Sequence, residues 1–520
     1  MYEQKPVIFS DWLSSLQTRY GGKTAVVCGE DTIGFSQLEN AARCCALDLI
    51  KRGVKKGDTV VLMAANGVDW LVSFFGIILT GGVAALVNYG LNGQDVATVS
   101  TLVGAKWAIL GLDQRFGVQP EVVAKVLSDS GIPTANILSC RGLYADAARS
   151  AAECGDQDLA ERPQPRDTQV ILFTTGSTAL PKAVQLSSRA ILSNVYGILD
   201  ILGKDLGDVC CPALPLFHSF GMITMLFSLE HGCTVCLPRD ITPETVLELI
   251  ARRDVDTVYS VATIFRMLME LPAFKEVARG KIRTCLWASS WMSPADRRLL
   301  HEMLGEVCLL PCYGLSECAA GVTISGSHVP AQQREASVGQ AIPNLDMRIW
   351  EAHRGFLPRG EMGEVVIKGP CLMNGYLGVP REAQPIDQDG WLHTGDLGHI
   401  SEDGLLHLDG RIKNLIKRAG ENIAPAEIEA ALLEEPSIRE AVVVGCPHSL
   451  LGESVEACVV LRFGELNERR LRTSLRKKLS PHKVPDHIIA LPAIPLKTNG
   501  KVDYLRLKEM TAEKLDGGNG

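Results

Sequence analysis

The sequence predicts an α/β protein. It would have a large N-terminal domain of layered α/β sheets with a small β unit, then a mobile, smaller α/β C-terminal domain. Three observations predict it. Strand-like runs alternate with helical stretches of ten or more residues through the first half of the chain, the signature of parallel α/β layers. After about Gly339, short strands separated by turn residues replace them. The chain's 520 residues are enough for a large domain plus a smaller one.

Each element follows from local pattern. "FSQLENAARCCALDLIKRG", from Phe35, carries apolar residues at helical spacing and stops at Gly53. "DTVVLMA" follows as a buried strand. Trp70 to Val87, "WLVSFFGIILTGGVAALV", reaches the lower edge of what a membrane-spanning helix needs. Thr80-Gly81-Gly82 divides it into an apolar helix and a short strand, so no transmembrane segment is expected. "TVSTLVGAKWAIL" and "TVLELIARRDVDTVYSV" each read as a helix followed by a strand. Ala151 to Asp167, rich in charge and proline, reads as an exposed connector. "LDMRIW", "GEVVIKG", "LGHIS" and "LLHLDG" form a small antiparallel β unit. A compact α/β segment follows, with strands at "REAVVVGC" and "EACVVLRF". A helix over Leu466 to Leu479 buries Leu471, Leu475 and Leu479 and leaves a basic, solvated face. The boundary falls near Arg411 to Asn414, giving a body of residues 1–412 and a lid of 413–520.

Composition narrows the function. Apolar residues make up 46%, charged residues 22%, and the net charge is -8, which argues against a nucleic-acid-coating surface. The start, MYEQKPVIF, lacks the pattern of a secretory signal. Most of the 16 cysteines sit in apolar runs, as at Cys44-Cys45, Cys210-Cys211, Cys285 and Cys458, where a reduced thiol packs as a small hydrophobe. A reducing, cytoplasmic setting is expected. Cys233-x-x-Cys236, near His231, has no second pair to complete a zinc site and reads as a strand.

The stretch with chemical content is "FTTGSTALPKAV", Phe173 to Val184. Small residues let a backbone approach an anion, and hydroxyls and an ammonium can donate to it. It is not a Walker A loop, since Pro181 stands where Gly-Lys-Ser/Thr would. Alone, phosphate binding and a polar turn are equally open. Further on come "PLFHSFGM" (Pro215 to Met222), "CYGLSE" (Cys312 to Glu317), "GWLHTGDLG" (Gly390 to Gly398), "DGRIKNLIKRAGENIAPAEIE" (Asp409 to Glu429) and "PLKTNGKVD" (Pro495 to Asp503). No G-x-S-x-G elbow accompanies His218-Ser219, so a serine hydrolase is not supported. In isolation, Asp396 can organise a turn, Tyr313 can be core and Lys501 can be a solvent-exposed hairpin residue.

In order and spacing these motifs resemble the adenylate-forming superfamily of acyl-CoA synthetases, luciferases and peptide-synthetase adenylation domains, from Phe35 to about Asp503. The resemblance implies ATP-dependent activation of a carboxylate as acyl-AMP with pyrophosphate release, then transfer to coenzyme A. It implies that Thr174, Thr175, Gly176, Ser177, Thr178 and Lys182 form the phosphate loop. Tyr313, Gly314 and Ser316 would contact the nucleotide, Tyr313 by offering its face to adenine. Glu317 would be a magnesium ligand, a hard carboxylate for a hard ion. Asp396 would accept bonds from the ribose, Arg411 would add a ribose or phosphate contact, and Lys501 would bridge carboxylate and phosphate. His218, counted with Lys501 and Glu317 as catalytic, would line the acyl pocket. Relatives that activate amino acids usually carry an aspartate there, so amino acids are disfavoured. Lys413 would be the hinge, and Gly420, Glu421 and Asn422 would line the coenzyme A passage. Lys417, Arg418 or the basic helix would meet its phosphates.

Two departures stand out. Ala179 and Ala183 replace glycines usual in the phosphate loop, and each Cβ restricts close approach. Ala288 and Ser289 stand where relatives tend to have two glycines bordering the acyl cavity, which favours a short, medium or cyclic acid. Two alternatives remain: loading of an acyl group onto a carrier-protein phosphopantetheine, and a degenerate binder without turnover.

Overall fold

The computed structural model describes residues 5–112, 119–150, 162–174, 181–289, 292–419, 421–448, 450–496 and 502–517. The chain forms two compact units. One comprises Met1–Trp291, Leu299–Asp346 and Lys368–Leu392; the other comprises Met292–Arg298, Met347–Ile367 and His393–Gly520.

The first unit is built on two sheets. A nine-stranded sheet runs in the order Gln340–Ala341, Ala320–Ile324, Cys308–Leu315, Thr284–Ala288, Thr257–Val261, Val209–Pro212, Thr234–Cys236, Thr24–Cys28 and Asp31–Gly34. Its middle is parallel, with Thr257 opposite Thr284 and Thr284 opposite Cys308. A seven-stranded sheet runs in the order Gly375–Tyr376, Lys182–Ser187, Thr168–Thr174, Val83–Leu86, Thr59–Ala64, Trp107–Gly111 and Ile137–Ser139. Parallel strands covered on both faces carry unbroken apolar runs, and "TVVLMA" and "VAAL" do so. One core cluster joins Val61, Met63, Val83, Ala85 and Ile171 to the helical residues Val96, Val99, Val123 and Leu127.

The apolar stretch folds as its glycines predict. Helix Val68–Leu79 is buried except at Asp69. Thr80 Oγ1 donates to the Ile77 carbonyl and accepts from Gly82 N–H, Gly81 takes φ +77°, and strand Val83–Leu86 follows. Among the described residues no helix is long and apolar enough to cross a membrane.

The second unit holds a five-stranded sheet, Gly355–Leu357, Asp346–Glu351, Gly363–Lys368, Leu392–Ile400 and Leu406–Arg411 in spatial order. It also holds a sheet around the antiparallel pair Ile438–His448 and Gly452–Leu461. Alternate residues of that pair serve two cores. Val443, Val455 and Ala457 pack with Ile428, Leu432, Leu471 and Leu475 of two helices; Val442, Val444 and Cys458 pack with Leu507.

Three expectations are revised or fall partly outside the description. The basic helix is shorter than its leucines imply, running Glu468–Leu475 with Asn467 capping Arg470 N–H at 3.0 Å. Beyond it, Lys477 and Lys478 N–H reach back three residues in a tighter turn. Residues 151–161 of the connector lie outside the described residues. Cys44 is disulfide-bonded, not a free thiol: an apolar helical position accommodates either form, and the sequence pattern showed only the packing. Among the described residues, fourteen other cysteines are free. Cys236 ends the strand Thr234–Cys236, and no cluster of three or more metal-ligating side chains occurs among the described residues.

Candidate active site

The phosphate-loop motif connects neighbouring strands of the seven-stranded sheet. Thr174 ends one, Lys182 opens the next, and the two are register partners in an antiparallel pair. Thr175, Gly176, Ser177 and Thr178, with Ala179, lie outside the described residues. Ala183 is 1% exposed and packs in the core behind the strand, so its methyl fills the interior.

"YGLSE" is held by an unusual backbone. Strand Cys308–Leu315 passes through a short turn, Ser316–Cys318, into the antiparallel strand Ala320–Ile324. Ala319 and Ala320 take φ +54° and +108°, values that cost non-glycine residues energy. Asn194 compensates: its amide donates to the carbonyls of Cys318 (2.9 Å) and Gly321 (2.6 Å) and accepts from Gly321 N–H (3.1 Å). Gly314 is obligatory, because a Cβ there would stand 1.6 Å from the Ala320 carbonyl oxygen.

Glu317, on this turn, accepts a 2.7 Å bond at Oε1 from the Tyr376 hydroxyl. The ring of Tyr376 carries the Lys182 ammonium 4.6 Å from its centroid. Sequence reasoning did not single out Tyr376, which stands outside every motif quoted above.

His218 is half-buried and precedes helix Ser219–His231. Its ring lies 5.4 Å from that of Phe217, which meets Tyr89 edge-on at 5.3 Å. The turn requires Gly221, where a Cβ would stand 2.1 Å from the Pro215 carbonyl oxygen. Ser219 Oγ lies 3.3 Å from Ser316 Oγ, joining the His218 segment to "YGLSE".

Between these segments lies a pocket of about 480 Å³, its open mouth included. Ile198, Phe220, Ile223, Phe227 and Leu286 make its apolar wall, and Tyr313 and Gly314 also border it. None of the described lining residues is charged. Ala288 and Ser289 line it, and Ser289 takes φ +68°, a conformation suited to glycine. Tyr259 does not line it but backs Phe227 edge-on at 5.2 Å.

A divalent cation fits Glu317. Magnesium is commonly held by one or two carboxylates plus substrate phosphates and water, and Glu317 offers one such carboxylate, bonded to the tyrosine whose ring carries Lys182.

The second unit carries the remaining candidates. Asp396 is 4% exposed, on strand Leu392–Ile400, and its Oδ1 lies 2.7 Å from Arg411 Nε. Glu364 braces the preceding residues, accepting from Gly395 N–H at 2.9 Å and lying 2.8 Å from His393 Nδ1. Gly395 takes φ +72°. Thr394 Oγ1 donates to the Val365 carbonyl and accepts Asp396 N–H. Glu364 was not legible as part of this motif. Lys413 is exposed in the short turn Ile412–Asn414. Glu421 and Asn422 are exposed on a strand whose partners are Arg418 and Lys417. Arg418 differs from expectation: Asp486 holds its Nη2 at 2.7 Å, committing it to the fold. Gly420 and Lys501 lie outside the described residues.

A layered α/β body with a hydroxyl- and lysine-bearing strand junction, an acidic "YGLSE" turn and an apolar pocket beside it defines an adenylate-forming enzyme by class. Residues 14–377 match the AMP-binding enzyme family and residues 427–501 match the AMP-binding enzyme C-terminal domain. The chain belongs to this family, in which its relatives are acyl-CoA synthetases and related ligases. It is 29% identical over 535 residues to the long-chain-fatty-acid–CoA ligase of Bacillus subtilis (strain 168), covering 96% of this chain and 94% of that one. It is 30% identical to the fatty acid–[acyl-carrier-protein] ligase ScoC of Streptomyces coeruleorubidus, over 93% of both chains. The crystal structure of ATP-bound MatB from Rhodopseudomonas palustris superposes with a TM-score of 0.85 at 26% identity, covering 96% of this chain and 98% of that one.

Proposed function

We propose that this protein is an ATP-dependent ligase that activates a carboxylic acid with a largely apolar body and no second charged group as acyl-AMP and transfers the acyl group to coenzyme A. The observation that carries the reading is the pocket, whose apolar, uncharged wall is continuous with Tyr313 and Gly314 of the nucleotide motif. An acyl tail there is desolvated at no cost in buried charge, whereas a second carboxylate or an ammonium would lack a partner.

In the first step a carboxylate oxygen attacks the α-phosphorus of ATP and the bond to the β-phosphate breaks, releasing pyrophosphate. Thr174, Thr175, Gly176, Ser177, Thr178 and Lys182 cradle the phosphates. Gly314 and Ser316 border the nucleotide, Tyr313 faces its base, and Asp396 and Arg411 hold its sugar. Lys501 places a cation between the carboxylate and the α-phosphate, where charge redistributes. Glu317 would hold magnesium, which would neutralise charge on the phosphate oxygens. His218 stands next to Ser219 of the pocket lining and is assigned to the carboxylate end. In the second step the sulfur of coenzyme A attacks the acyl carbonyl and AMP leaves. Residues 413–520 turn at Lys413 to withdraw Lys501, and Gly420, Glu421 and Asn422 line the thiol's path. The reducing interior of a cell supplies both nucleotide cosubstrates and suits the many free thiols.

Hydroxylamine trapping of acyl-AMP across a panel of acids tests the reading. Neutral short, medium and cyclic acids are expected to score, and dicarboxylates and amino acids to fail. Silence on every acid would favour a non-catalytic binder. The ScoC relative supports a second reading, transfer to a carrier protein. Parallel assays with coenzyme A and holo carrier protein separate the two.

A further inference from the structure

Tyr376 belongs to none of the motifs above, yet it touches two of them. We infer that Tyr376 is a positioning residue for adenylation, whose hydroxyl fixes one oxygen of Glu317 and leaves the other for the magnesium–nucleotide, and whose ring seats Lys182 beside it. The inference rests on the proposed role of Glu317.

The geometry is over-determined. The Tyr376 hydroxyl donates to Glu317 Oε1 at 2.7 Å, a short, charge-assisted bond. The Lys182 ammonium lies over the same ring, a cation–π contact. The backbone of Tyr376 is fixed from two sides. On one, Gly375–Tyr376 pairs with the strand that carries Lys182, placing Tyr376 opposite Val184, and Leu377 N–H donates to the Ala183 carbonyl. On the other, the Gln384 side chain accepts from Tyr376 N–H at 2.8 Å and donates to its carbonyl at 3.0 Å. Met373 N–H donates to the backbone carbonyl of Glu317, so the segment is tied to both ends of that residue. Tyr376 is 8% exposed. A residue that only filled space would need neither the bond nor the clamp.

Outer partners of a metal ligand typically change metal affinity by roughly 10- to 100-fold when removed. The test compares Tyr376→Phe, Tyr376→Ala and Glu317→Gln with the full chain, using Mn2+ as the probe. Mn2+ affinity of the enzyme–ATP complex is read by electron paramagnetic resonance, and metal-free ATP binding by calorimetry. Tyr376→Phe should weaken Mn2+ by about tenfold while metal-free ATP binds as in the parent. Tyr376→Ala should in addition weaken metal-free ATP, because Lys182 loses its platform. If Tyr376→Ala does not fold, Tyr376→Phe carries the test alone. Unchanged Mn2+ affinity in Tyr376→Phe beside a loss in Glu317→Gln would overturn this inference only. No loss in Glu317→Gln would remove the role of Glu317 itself.

Discussion

Arg411 Nε lies 2.7 Å from Asp396 Oδ1, and the two residues face each other as register partners on adjacent antiparallel strands. The Asp396 side chain is 6% exposed and that of Arg411 49%. A carboxylate so enclosed has its direction set by its partner, while Arg411 keeps half its surface for something else. Asp396→Asn should therefore raise KM for ATP by roughly ten- to a hundredfold, as expected for a lost charged hydrogen bond, with a smaller effect on KM for the acid. Pyrophosphate exchange titrated with ATP and, separately, with the acid measures both. An unchanged KM for ATP would remove Asp396 from the nucleotide site.

Lys501→Ala should separate the half-reactions. Loss of one positioned cation at a developing charge costs on the order of 10²–10³ in rate, so pyrophosphate release should fall by about that factor. Thiolysis of supplied acyl-AMP should persist within about threefold, well under 1.4 kcal/mol in barrier height. Equal loss of both would contradict the turning of residues 413–520.

Ser289 occupies a left-handed backbone conformation at the pocket wall. Ser289→Gly should relieve about 1 kcal/mol of strain, offset in part by the greater freedom of glycine in the unfolded chain. It also removes a side chain from the lining. The melting temperature should hold or rise slightly, and the acid profile should shift toward longer or bulkier acids. A profile identical to that of the parent would show that Ser289 does not limit the pocket.

Glu429 gives a pH signature to the second unit. The residue is partly exposed, but its carboxyl group is enclosed and accepts Val443 N–H at 2.8 Å. Burial raises its pKa from 4.5 to about 7. Its protonated form is the one the fold favours, so its contribution is full below the unfolded pKa and is lost as pH rises through about 7. The loss is on the order of 3 kcal/mol. Glu429→Gln should flatten the pH dependence of the melting temperature over that window and raise it above pH 7. Parallel curves for the two proteins would refute this.

What was legible in the sequence was local. Thr80-Gly81-Gly82 broke an apolar run because those residues make a turn wherever they stand, and the helix and strand either side followed. Thr174 and Lys182 became neighbours because one short loop joins paired strands. Tyr376 and Glu317 are 59 residues apart, and their meeting depends on a two-residue strand with no periodicity to betray it. Arg418 looked free because its partner, Asp486, is 68 residues away. The basic helix was overextended because leucine spacing continues through Leu479, which stays buried even though the last turn tightens.

Asn194 and Ile198 lie one turn apart on the helix Ser188–Leu202. The first grips the backbone on either side of the Ala319–Ala320 bend; the second forms part of the apolar pocket wall. A tail that presses on Ile198 thus leans on the same rod that supports the turn of Glu317. On the proposed function, occupancy of the pocket and the poise of the Glu317 turn are mechanically joined, so a poorly fitting acid would disturb that turn.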